Sequence, residues 1–120
     1  MITGLGGSTI WTSDINNLLP FYRDVVGLTP GVSNGEFVVF GDQISPALAV
    51  GQHSEVRGRA SDPYRHMVGL ISTDIQGDTA RLKAAGVEFM DEPNDQGGGF
   101  FLATFIDPEG NLIQLYQFGG

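Results

Sequence analysis

The chain states one structural unit twice. Asp14-Ile15, an apolar run of helical spacing and Gly27 are answered about sixty residues later by Asp74-Ile75, a second such run and Gly86. Phe40-Gly41-Asp42 is answered in the same way by Phe105-Ile106-Asp107. Such duplication constrains the fold more than any single residue, and a chain built from two copies of one unit normally places its site where the copies meet.

Each copy predicts the element order βαβββ. Ser8 to Ser13 is short and rich in β-branched and aromatic residues, which favours a strand. Leu18, Phe21, Tyr22, Val25 and Val26 then recur at helical spacing. Pro20 cannot donate a backbone hydrogen bond, so a tight turn over 14–18 and a helix starting near Leu19 or Pro20 are expected, with Gly27 as its stop. Three strands follow, near Thr29–Val32, Glu36–Gly41 and Ala47–Gln52, separated by the turn signals Asn34-Gly35 and Ser45-Pro46.

In the second copy, His66–Ser72 is a strand. Thr73-Asp74 caps a helix with Ile75, Thr79, Leu82 and Ala85 on one face, and Gly86 stops it. Val87–Met90 is a strand and Glu92–Gly99 a polar, glycine-rich loop. Phe100–Ile106 and Leu112–Phe118 form a hairpin around Asp107-Pro108-Glu109-Gly110-Asn111, with Pro and Gly where a tight turn uses them. The reading is one domain over 1–120: module 1 at 1–53, a polar linker at 54–63 and module 2 at 64–120.

Composition excludes some chemistry. There is no cysteine, hence no disulfide, thiolate metal site or cysteine nucleophile. Fourteen acidic against six basic residues give a net charge of −8, which repels a phosphate backbone, so no nucleic-acid partner is expected. No apolar run approaches the ~20 residues that span a bilayer, so no membrane association is expected and the expected location is cytoplasmic. No Ser-His-Asp set has a justifiable spacing, and Gly4-Leu5-Gly6-Gly7 lacks the third glycine and the preceding strand of a dinucleotide loop.

Tandem βαβββ units carrying Phe21-Tyr22-Arg23-Asp24-Val25-Val26-Gly27-Leu28 and Asp107-Pro108-Glu109-Gly110-Asn111-Leu112-Ile113-Gln114-Leu115 resemble the vicinal oxygen chelate superfamily of glyoxalase I, extradiol dioxygenases, fosfomycin-modifying enzymes and bleomycin-resistance proteins. The resemblance implies an α+β fold, a cupped mixed sheet with helices outside and a homodimer. It also implies a divalent metal, in the enzymes, held by the first and last strands of each unit. Carried over by a seven-residue offset from Asp14, Asp42, Asp74 and Asp107, those positions read Gly7, Ala49, Met67 and Gln114. Gly and Ala supply no donor and a thioether is too soft for a hard divalent ion. The expectation is therefore no metal and no cofactor. The fallback ligands are His66 and Gln114, and His66 serves only through a bulge or register shift, since it neighbours Met67 on the other face. Otherwise His66 and His53 read as exposed or strand-edge histidines.

Strand alternation then predicts what lines the cup: Thr9, Trp11, Phe37, Val39, Met67, Gly69, Ile71, Phe100, Leu102, Thr104, Leu112, Gln114, Tyr116 and Phe118, with Ile10, Phe101 and Phe105 toward the helices. A three-residue loop at 108–110 pairs residue 104 with 114. Large rings beside the small Gly7, Ala49 and Gly69 suit a flat aromatic or polycyclic ligand. The leading expectation is a metal-independent small-molecule binder resembling the bleomycin-resistance branch, sequestering an antibiotic or toxic compound. The alternatives are a metal-dependent lyase, isomerase or dioxygenase, and a nonmetal enzyme using His66 or Glu55 as acid or base.

Overall fold

The chain forms two compact units, Met1–Gly58 and Arg59–Gly120. The computed structural model describes residues 1–42 and 46–119. The first unit contains β1 (Ser8–Thr12), α1 (Ile15–Pro20) continuing as a wider helical segment (Phe21–Val26), β2 (Pro30–Ser33), β3 (Phe37–Phe40) and β4 (Leu48–Gln52). The second contains β5 (Val68–Ile71), α2 (Ile75–Ala84), β6 (Phe89–Asp95), β7 (Phe100–Ile106) and β8 (Leu112–Phe118). Each unit is a four-stranded sheet, ordered β1-β4-β3-β2 and β5-β8-β7-β6. One parallel pair in each, β1 with β4 and β5 with β8, makes the sheets mixed. The expected α+β class and the two βαβββ modules are both present.

The repeat extends to individual hydrogen bonds. In the first unit Thr12 Oγ1 accepts from the Asp14 N–H (3.1 Å), Asp14 Oδ1 from the Asn16 N–H (3.0 Å), and Gln52 Oε1 from the Ile15 N–H (3.0 Å). In the second, Ser72 Oγ accepts from the Asp74 N–H (3.1 Å), Asp74 Oδ1 from the Gly77 N–H (3.0 Å), and Gln117 Oε1 from the Ile75 N–H (2.6 Å). The N–H groups of a first helical turn have no partner inside the helix, so side chains must satisfy them. Here a capping aspartate and a glutamine from the last strand of the same unit share that task.

This capping explains the first departure from expectation: α1 begins at Ile15, not near Leu19 or Pro20. Residues 14–18 are its cap and first turn, and Pro20 ends its regular part. The missing Pro20 N–H removes one rung, and the chain continues in wider turns to Val26. Gly27 closes it at φ 93°, its N–H donating to Tyr22 O. The strand near Thr29–Val32 is shifted by one residue, to Pro30–Ser33. Ser45 of the expected Ser45-Pro46 turn lies outside the described residues.

In the second unit β6 begins at Phe89 rather than Val87 and runs through Glu92–Asp95, expected to be loop; only 96–99 remain as connector. An edge strand needs one paired side only, so Pro93 is tolerated, and register shifts between Phe89 and Asp91 and between Asp91 and Asn94 absorb the irregularity. β5 is shorter than His66–Ser72, which leaves His66 and Met67 just ahead of it. Ala85 caps α2 and is exposed rather than on its buried face.

One face of each sheet packs under its helix. Ile10, Val38, Phe40, Leu48 and Val50 are buried with Ile15, Leu18, Phe21 and Tyr22 in the first unit. Val68, Ala103, Phe105, Ile113 and Leu115 are buried with Ile75 and Leu82 in the second. Thr79 belongs to the latter set, and its Oγ1 has no hydrogen-bond partner among the described residues. Thr79→Val keeps the shape and removes the desolvated hydroxyl, so it should raise stability by about 1 kcal/mol. A higher urea midpoint would show this, and a lower one would contradict it.

Candidate functional site

The opposite faces of the sheets carry the residues that alternation assigns to the cup. In the first unit Thr9 and Trp11 of β1 and Phe37 and Val39 of β3 flank Ala49 and Gly51 of β4, in the registers Thr9↔Ala49, Trp11↔Gly51, Phe37↔Gly51 and Val39↔Ala49. Trp11 and Phe37 lie 5.7 Å apart across Gly51. A Cβ on Gly51 would sit 2.5 Å from Trp11 Cζ3 and 2.7 Å from Phe37 Cδ2. A glycine inside a strand marks such close approach. Trp11 thus rests on bare backbone while 43% of it remains exposed.

Beside it an open hollow of ≈ 320 Å³ is lined by Gly6, Gly7, Ser8, Thr9, Phe37, Val39, Ala47 and Ala49. That size is near the lower end for small-molecule sites. Gly51→Ala should lift the Trp11 ring toward solvent at a cost of about 1 kcal/mol. Trp11 is the single tryptophan, so its emission should move to longer wavelength, and an unchanged spectrum would contradict this packing.

The second unit places Phe100, Leu102 and Thr104 of β7 beside Leu112, Gln114, Tyr116 and Phe118 of β8, with Thr104 directly opposite Gln114. Phe100 stacks on Phe118 (5.1 Å, 17°), and both meet Tyr116 edge-on at 5.7 and 6.2 Å. Gly69, expected to leave room, instead carries the Tyr116 ring: a Cβ there would lie 2.3 Å from Tyr116 Cε2. The Tyr116 hydroxyl donates to Gln114 Oε1 at 3.0 Å. Ile71 and Phe118 are 77% and 66% exposed, whereas Leu112 and Thr104 are buried. The face is an aromatic wall with one amide at its foot.

The remaining candidates stand apart from this wall. His53 is exposed; its Nδ1 accepts the Glu55 N–H at 3.0 Å and its ring meets Trp11 edge-on at 5.5 Å. His66 is exposed ahead of β5, and Met67 is half-buried. Asp107, in the turn between β7 and β8, is buried and serves the backbone. Its Oδ1 accepts the Glu109 and Asn111 N–H groups, both at 2.9 Å, and its Oδ2 accepts Asn111 Nδ2 at 2.8 Å. The Asp-Pro-Glu-Gly-Asn motif is thus a structural clasp.

A family model for the glyoxalase/bleomycin resistance protein/dioxygenase superfamily matches residues 4–115. The chain belongs to that superfamily. Solved structures with this fold include a superfamily protein from Nocardioides, at 20% identity and TM-score 0.75, covering 100% of this chain and 87% of that one. One from Sphaerobacter thermophilus shows 24% identity and TM-score 0.74, with 97% and 98% covered. A protein of unknown function from Agrobacterium tumefaciens shows 22% identity and TM-score 0.75, with 98% and 95% covered. At these identities the likeness concerns the fold. Comparison with curated proteins gives no match.

A superfamily-type divalent metal does not fit the side chains at the corresponding strand positions. Gly7 and Ala49 offer no donor, Met67 offers a thioether, and Gln114 offers an amide already engaged by Tyr116. Nor is Gly7 free to vary, because a Cβ there would lie 2.7 Å from the Ala47 carbonyl oxygen, and Ser8 N–H holds that carbonyl at 3.0 Å. Among the described residues no group of three His, Asp or Glu is placed to hold a metal ion. No helix among them is long and apolar enough to cross a membrane.

Sequence reasoning found the rings but missed what holds them. Gly51 and Gly69 are platforms for Trp11 and Tyr116, and the Tyr116–Gln114 bond fixes the amide. A glycine within each apolar strand was the available signal.

Proposed function

We propose that this superfamily member is a metal-independent binding protein that sequesters a flat aromatic or polycyclic compound, such as an antibiotic or toxin, in the cytoplasm. The observation that carries the reading is the Phe100–Tyr116–Phe118 wall, held by Gly69 and Gln114, with Phe118 66% exposed. Preorganised rings offer contact area without an ordering penalty, and stacking adds about 0.5–1.5 kcal/mol beyond area burial. Trp11 on Gly51 gives the first unit a comparable surface. The large exposure of Ile71 and Phe118 supports assembly as a homodimer, since apolar side chains this open are typical of contact surfaces.

The test is elemental analysis of purified protein, before and after incubation with Zn, Ni, Mn and Fe and desalting. Metal well below one ion per chain is expected. Stoichiometric metal lost in His66→Ala and Gln114→Ala variants would overturn the reading in favour of a metal-dependent lyase, isomerase or dioxygenase.

A further inference from the structure

We propose that Gln114 selects the ligand, and that the compound it selects is a planar aromatic bearing a carbonyl oxygen and no negative charge. The proposal rests on the binding function above and specifies the chemistry of that site. A primary amide has one acceptor and two donor hydrogens. The Tyr116 hydroxyl donates to Gln114 Oε1, and Tyr116, two residues along the same face, is itself positioned over Gly69. One of the two lone pairs of Oε1 is therefore taken, while nothing among the described residues takes a hydrogen bond from Nε2, whose two hydrogens are both on offer. Gln114 is half-buried at the foot of an aromatic wall, so what the site offers an incoming ring system is a fixed N–H donor.

Charge narrows the class further. No residue on this face of β5, β7 and β8 is ionisable below the tyrosine range, but the edge strand β6 places the exposed Asp91 directly opposite Thr104, so the face disfavours an anionic ligand. A ketone or quinone-type oxygen in the plane of a fused ring system meets both requirements: its ring packs on Phe100 and Phe118 and its oxygen accepts from Nε2. A ligand presenting an N–H instead would be left with only the second lone pair of Oε1, beside the Tyr116 hydroxyl, and a hydrocarbon would leave the Nε2 donor unpaired when it covers it.

Three tricyclic probes of one shape separate these cases: 9-fluorenone (C=O), fluorene (CH₂) and carbazole (N–H), each titrated into the full chain by calorimetry in buffer with chelator. The expected order is fluorenone tighter than fluorene by about tenfold, in line with one well-made hydrogen bond, with carbazole no better than fluorene. In Gln114→Leu the fluorenone advantage should vanish while fluorene binding holds. Gln114→Glu, which keeps an acceptor for Tyr116 but loses the donor, should abolish the advantage too and guards against misfolding of the leucine variant. Equal binding of the three probes, or a preference for carbazole, would overturn the assignment of Gln114 and leave the aromatic-binding function standing. Failure of all three to bind would overturn both.

Discussion

Asp107→Ala should lower the unfolding free energy by about 3 kcal/mol, because it strips three hydrogen bonds from a buried carboxylate at once. The two backbone N–H groups of Glu109 and Asn111 would lose their acceptor, and Asn111 Nδ2 its partner. The same turn is held by Asp107 N–H donating to Asn111 O (2.9 Å) and Gly110 N–H donating to Asp107 O (3.1 Å). Arg59 Nη1 donates to Pro108 O at 3.3 Å and lies against Gly110. The loss would therefore loosen the loop that sets the β7–β8 register, and with it the pairing of Thr104 and Gln114. For a chain of this size the expected fall in Tm is roughly 10 °C. Asp107→Asn should cost less, since it keeps Oδ1 as acceptor for the two backbone N–H groups while losing the bond to the Asn111 side chain. A Tm within a degree or two of the parent for Asp107→Ala would contradict the clasp.

The second large effect is on binding rather than stability. Gly69→Ala places a methyl group 2.3 Å from Tyr116 Cε2 and 2.8 Å from its hydroxyl oxygen. The ring is only partly buried, so it can shift away at modest cost to the fold, about 1–2 kcal/mol. Shifting breaks the bond to Gln114, frees the amide to rotate and removes one side of the aromatic wall. Fluorenone affinity should fall by tenfold or more, a change of about 1.4 kcal/mol or greater, while Tm moves by only a few degrees. Tyr116→Phe in the same series keeps the ring and removes the hydroxyl, so it should lower the preference for fluorenone over fluorene without a general loss of affinity. Full fluorenone binding in Gly69→Ala would show that Tyr116 is not part of the site.

Strand faces were legible in the sequence because their logic is local. Side chains alternate, and a three-residue loop at 108–110 leaves one pairing for the hairpin, Thr104 with Gln114, which the structure contains. What was not legible depends on distant partners. Pro20 argues against an early helix start, and only the Gln52 side chain arriving from β4 shows why α1 can begin at Ile15. Glu92–Asp95 has loop composition, yet β7 offers a free edge to which even Pro93 can be accommodated.

The candidate site divides along the same line. Its rings follow from alternation, but the roles of Gly51 and Gly69 come from the cross-strand registers Trp11↔Gly51 and Gly69↔Gln114. Alternation alone reads those glycines as empty space. The orientation of the Gln114 amide likewise belongs to its contact with Tyr116, which no spacing rule specifies.

Binding of an aromatic compound without a metal is the function proposed for this superfamily member. The most direct measurement is the calorimetric isotherm of 9-fluorenone taken with chelator and again with added Zn or Mn, followed by recovery of the probe. The same affinity in both conditions and chemically unchanged fluorenone are expected; binding that appears only when metal is supplied would contradict the proposed function.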